Sequence, residues 1–177
     1  MKRRFSLLLF LFPVLVAPAA YAQQQKFEYE FDHERPWVEI QAQLPSYPKP
    51  ENLLQFDAGP ASSNLHFVDS SSITVGEDGV VRYSLVVKSP SGAMNVSYEG
   101  IRCQTNEKRT YAFGRSDNTW TRARLSKWSD LESIVQNYPQ RALYRYFFCP
   151  LGIHVVRDAD EAIQALKAGV HPRAVRY

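Results

Sequence analysis

Apolar and polar residues alternate most cleanly between Val80 and Lys88. Val81, Tyr83, Leu85 and Val87 fall on one side; Arg82, Ser84 and Lys88 fall on the other, with Val80 and Val86. A period of two in β-branched and aromatic residues predicts a strand with one packed face. Residues 93–102 alternate again, with Met94, Val96 and Tyr98 opposite Asn95, Ser97 and Glu99. A third strand is predicted over 109–114, where Tyr111 and Phe113 share a side, and a fourth over 119–125 around Trp120. Residues 65–68 and 72–75 are shorter candidates upstream. Gly76-Glu77-Asp78-Gly79, Ser89-Pro90-Ser91-Gly92 and residues 104–108 read as turns, since Gly, Asp and Asn adopt turn conformations at little cost. Consecutive strands joined by short polar turns imply an antiparallel meander.

Something must cover the packed face, and the C-terminal third offers helices. Ser129 is expected to cap a helix over 130–137, with acids in its first turn where the helix dipole favours them. Asp158 is expected to cap a second helix over 159–168, ended by Gly169 and striped by Ala162, Ile163 and Leu166. The aromatics Tyr144, Tyr146, Phe147 and Phe148 read as core filling under the sheet. The fold class that follows is α+β: a twisted antiparallel β-meander covered on one face by C-terminal helices, the other face partly wet.

Residues 23–64 are the least regular. Residues 27–32 alternate aromatic and acidic, as a short strand or a loosely attached arm would; 37–40 are strand-like but brief. Pro45, Pro48 and Pro50 force an extended path, because proline fixes its own φ and biases the residue before it. This divides the chain into residues 1–22, an extended proline-containing N-terminal segment 23–64, and an α+β domain 65–177.

The first 22 residues look like a secretory signal peptide. Lys2, Arg3 and Arg4 precede an apolar run, and Ala20-Tyr21-Ala22 is a small-x-small cleavage site. Cleavage after Ala22 would place the protein in the periplasm or cell envelope. No transmembrane segment is expected to remain. Without Lys2, Arg3 and Arg4 the 21 basic residues fall to 18, against 18 acidic ones. That balance argues against a nucleic-acid partner, which needs a local excess of Lys and Arg. An oxidising compartment favours a disulfide between Cys103 and Cys149, the two cysteines of the chain, over two separate buried thiols. The chain-entropy account puts such a bridge near 4 kcal/mol, as an order of magnitude.

The strings Tyr98-Glu99-Gly100-Ile101-Arg102-Cys103 and Tyr111-Ala112-Phe113-Gly114-Arg115, with Gly79-Val80-Val81-Arg82-Tyr83, resemble the CNP1-like family. These are small exported proteins of Gram-negative bacteria, mostly beta-class proteobacteria. Trp37, Leu44-Pro45-Ser46-Tyr47-Pro48, Trp120 and Trp128 fit the same pattern, so the likeness covers roughly residues 37–149. The resemblance implies no assigned activity and supplies no catalytic or ligand residue.

Chemistry is sparse. His33, His66, His154 and His171 are scattered without metal-site spacing, so no metal and no cofactor is expected. His66, Asp69 and the serines 70–72 lie close in sequence, but neighbours on a strand point opposite ways. Turn chemistry is the better reading there. No catalytic residue is assigned. The candidate ligand-binding group is Glu99, Arg102, Arg115 and Trp120, an anion or sugar site on the wet sheet face, with Glu99 opposite Arg109 or Arg115. Ordinary cross-strand ion pairing explains the same residues. Two functions fit: a non-catalytic envelope module binding a protein, glycan or lipid component, or an envelope enzyme with a dispersed acid and Arg site.

Overall fold

A computed structural model describes residues 36–60 and 63–174. The leader and the aromatic–acidic alternation at 27–32 lie outside the described residues. Seven strands form one antiparallel sheet: β1 (Leu53–Phe56), β2 (Leu65–Val75), β3 (Val80–Lys88), β4 (Met94–Arg102), β5 (Glu107–Gly114), β6 (Trp120–Arg122) and β7 (Ser129–Asp130). β1 to β6 lie side by side in sequence order, and β7 pairs with β5 beyond the end of β6. The meander and the α+β class are as expected. Gly79 and Gly92 take positive φ of 73° and 86° in the turns before β3 and β4, which is why glycine stands there.

The candidates at 65–68 and 72–75 are one strand, β2, broken by a bulge between Asp69 and Thr74. The serines are occupied with the backbone at this bulge. Ser71 donates to Asp69 Oδ1, Ser72 Oγ donates to the Asp69 carbonyl, and the Ser84 N–H donates to Ser72 Oγ.

Val81, Tyr83, Leu85 and Ile101 point to the face that two helices cover. α1 (Tyr138–Leu143) runs on into a wider turn over Tyr144–Phe148, and α2 (Ala159–Ala168) follows. Leu143, Phe147, Phe148, Ala162, Ala165 and Leu166 close this core, with the Phe148 ring 5.2 Å from Tyr83. α2 begins and ends where the sequence places it: Asp158 accepts from the Glu161 N–H, and Gly169 closes the end at φ 79°. The helix expected over 130–137 is absent. Asp130 instead joins β7 and accepts the N–H groups of Glu132 and Ser133 in a tight local turn. Leu131 is fully buried beside it. The helix starts at Tyr138, with Pro139 in its first turn, where a missing N–H costs nothing. A disulfide joins Cys103, after β4, to Cys149, after the helical turn.

The second face is wet only in part, with Lys88 and Met94 exposed at one end. Residues 37–48 cross it as an extended strap without joining the sheet ladder. Trp37 Nε1 donates to the Asp78 carbonyl, the Ile40 N–H to Asp78 Oδ2, and Trp120 Nε1 to the Pro45 carbonyl. Tyr98, Tyr111 and Ala112 pack under it with Ala42, Leu44 and Trp120.

Candidate functional site

The four residues singled out from the sequence do not assemble. In an antiparallel pair, residues directly opposite share a face. Glu99 lies opposite Tyr83 on the helix-covered face, while Arg102 lies opposite Val80 on the strap face. On β5 the partner of Glu99 is Thr110, neither Arg109 nor Arg115. Arg102 stacks on Trp37, 3.9 Å from its ring centre. Trp120 packs on Tyr47 and Tyr98 beneath the strap. Arg115 is exposed and lies 4.0 Å from Asp117, a weak surface pair.

The strap face holds the densest charge. Glu39 accepts from Arg109, from Tyr111 Oη at 2.8 Å and from Trp128 Nε1 at 3.0 Å. Burial, and then the hydrogen bond to Glu39, push the Tyr111 hydroxyl well above its ordinary range. Burial alone would raise the Asp78 carboxyl. The Arg82 guanidinium at 2.6 Å and the Ile40 N–H outweigh it and hold Asp78 below its ordinary value. A cavity of about 290 Å3 opens here, lined by Glu39, Arg109, Tyr111 and Arg122. Glu39, Arg109 and Tyr111 already answer one another there and hold the strap; Arg122, exposed at the edge, has no ion-pair partner among the described residues.

The helix face differs. Past Leu85 the helices cover the sheet only in part: Val87 and Phe113 keep partial exposure. This leaves a groove of about 470 Å3 between the β4 and β5 strands and the start of α1. Leu85, Val87 and Phe113 give it apolar walls. Phe113 is 52% exposed, unusual for a large apolar side chain; Met94 lies opposite Lys88, on the strap side of β4. Glu99, Ser97 and Gln140 stand at the floor. Glu99 is only 4% exposed.

Ser97 Oγ donates to Glu99 Oε1 at 2.8 Å; Gln140 Nε2 and Tyr83 Oη donate to Oε2 at 2.8 and 3.3 Å. All three neighbours can donate to this carboxyl group. Burial, then the charge of Glu99, drive the Tyr83 hydroxyl far above its ordinary range, so it stays a donor. No Lys, Arg or His pairs with Glu99 among the described residues. The amide oxygen of Gln140, in a residue 6% exposed, has no hydrogen-bond partner. The floor therefore carries one acid and one carbonyl without a cation or a further donor to match them.

Tyr83, Ser97 and Gln140 were missed from the sequence. The signal for the first was present: counting back from the turn at 89–93 sets Tyr83 opposite Glu99. Gln140 needed the position of α1, which the cap at Ser129 misplaced. Among the described residues no group of three His, Cys, Asp or Glu side chains could hold a metal ion. No helix among them is long and apolar enough to cross a membrane.

The sequence model of the CNP1-like family matches residues 32–167. Among curated proteins, the chain is similar to Cryptic neisserial protein 1 of Neisseria gonorrhoeae, 28% identical over 122 residues. That match covers 62% of this chain and 57% of the relative, so the chain spans little more than half the relative's length. No solved structure matches.

Proposed function

The chain belongs to the CNP1-like family, and we propose that it works as an exported, non-catalytic binding module of the cell envelope whose contact surface is the groove beside α1. The groove carries this reading. The exposed apolar ring of Phe113 and the partnerless Gln140 oxygen occur together there, a combination that fits a ligand rather than a solvated surface. Export is supported by the basic-then-apolar leader ending in Ala20-Tyr21-Ala22 and by the Cys103–Cys149 disulfide, a bond that persists in oxidising compartments. An envelope enzyme with an acid and Arg pair has less support, since Glu99 and Arg102 face opposite sides of the sheet.

The test has two arms. Protein purified from a periplasmic fraction should begin at Gln23; material beginning at Met1 in the cytosol overturns export. Affinity capture from an envelope fraction should recover a stoichiometric component with the wild type and lose it with Phe113→Glu and Phe113→Ser. Equal recovery by wild type and variants overturns the groove as the contact surface.

A further inference from the structure

Resting on that reading, we infer that the groove recognises a lysine side chain presented by an extended polypeptide segment of its partner. Glu99 is the acid that receives the ammonium. A carboxylate removed from water is costly unless a charge compensates it, and hydrogen bonds from Ser97, Tyr83 and Gln140 supply only neutral donors. A cation entering the groove supplies what the fold leaves out. The same cation, seated between Glu99 and Gln140, gives the Gln140 amide oxygen the donor it lacks. Two independent features, an uncompensated acid and a partnerless buried carbonyl, thus ask for one group with several N–H donors.

The geometry favours ammonium over guanidinium. An Arg fork binds best across both oxygens of an open carboxylate edge. Here Oε1 already accepts from Ser97, and Oε2 from Gln140 and Tyr83. What remains suits a compact point charge with rotatable donors. Leu85 and Val87 line the way to the floor, matching the apolar stem of a lysine. The rim identifies a polypeptide rather than a free amine. Phe113, opposite Ser97 and 52% exposed, leaves apolar surface beside the floor that residues flanking the lysine would cover.

The experiment titrates the disulfide-bonded protein lacking residues 1–22 with three short peptides: Leu-Lys-Leu blocked at both ends, its norleucine counterpart and its glutamate counterpart. Hexylammonium is a fourth probe. Binding is followed by amide shifts of residues 94–99 and 136–140. The expected result is a lysine peptide at least tenfold tighter than the norleucine one, no saturable glutamate binding, and hexylammonium at least tenfold weaker than the lysine peptide. Glu99→Gln, which keeps the shape of the side chain, should erase the lysine preference while leaving norleucine binding unchanged. Equal lysine and norleucine affinities in the wild type overturn the inference even if the variant fails to fold, yet leave the groove as a binding surface. Hexylammonium matching the lysine peptide overturns the polypeptide occupant. No binding of any probe also overturns the inference, and the envelope capture above then decides the broader reading separately.

Discussion

The guanidinium of Arg102 lies 3.9 Å from the ring centre of Trp37, while Trp37 meets Trp128 edge-on at 5.8 Å. One side chain of the strap is thus held by a cation from β4 and by an aromatic from the segment before β7. A stacked cation contributes about 0.5–2 kcal/mol depending on solvation. Trp37→Ala should lower the unfolding free energy by about 2 kcal/mol, since stacking and burial go together. Urea unfolding of Trp37→Ala, Arg102→Ala and the double variant should yield a coupling energy of at least about 0.5 kcal/mol. Strict additivity would show that the stack contributes nothing.

Gly100 sits beneath the Tyr111 ring. A Cβ there would stand 2.6 Å from the Tyr111 hydroxyl and 3.0 Å from Val80 Cγ1. Gly100→Ala should therefore cost about 2 kcal/mol through forced displacement of the ring. The same substitution should cost clearly less with Tyr111→Phe, which removes the nearest atom. An equal cost in both backgrounds would locate the strain elsewhere.

Glu161 gives the stability a defined acid limb. The Arg157 backbone N–H, followed by the His171, Arg157 and Arg173 side chains, outweighs burial and pulls its carboxyl from 4.5 down to about 2. A carboxyl depressed on folding binds its proton less readily in the folded chain than in the unfolded one. Its contribution is complete above the unfolded value and lost as pH falls through the folded one. The Tm advantage of wild type over Glu161→Gln should hold at pH 6, shrink below pH 4.5 and vanish near pH 2. A constant difference across that window would exclude this linkage.

The disulfide spans 46 positions and ties the end of β4 to the end of the helical turn. Cys103→Ala with Cys149→Ala should cost about 4 kcal/mol, chiefly by freeing the unfolded chain. Urea midpoints of the two proteins measure it. Intact mass with alkylation but without reductant should show no modified thiol.

Local signals were legible where one residue type had one task. Asp158 and Gly169 bracket α2 because a carboxylate accepts N–H groups and glycine tolerates positive φ, whatever lies around them. Val80 to Lys88 alternates because the sheet imposes it. Ser129 misled for a related reason: a residue suited to cap a helix also fits a short strand, where it pairs with Lys108, and Asp130 then accepts the next N–H groups in a turn rather than a helix. Alternation in β4 placed the apolar Tyr98 on one side and the polar Glu99 on the other, and polarity then suggested water. But the strap buries the Tyr98 side and the helices bury the Glu99 side. Which face stays wet is decided by segments distant in sequence. The strap itself has no period to read, since its groups answer to partners on other strands rather than to a ladder.

Those partners set an order of events for folding. Trp37 must find the Asp78 carbonyl 41 residues on, Tyr111 and Trp128 must find Glu39 across 72 and 89 residues, and Trp120 must find the Pro45 carbonyl across 75. Pairing of the intervening strands shortens those distances and lowers the entropy cost of closing such loops. The segment nearest the start of the domain therefore settles most readily once the strands have paired. A chain emerging N-terminus first must carry Trp37 and Tyr47 unburied until the stretch through Trp128 has followed.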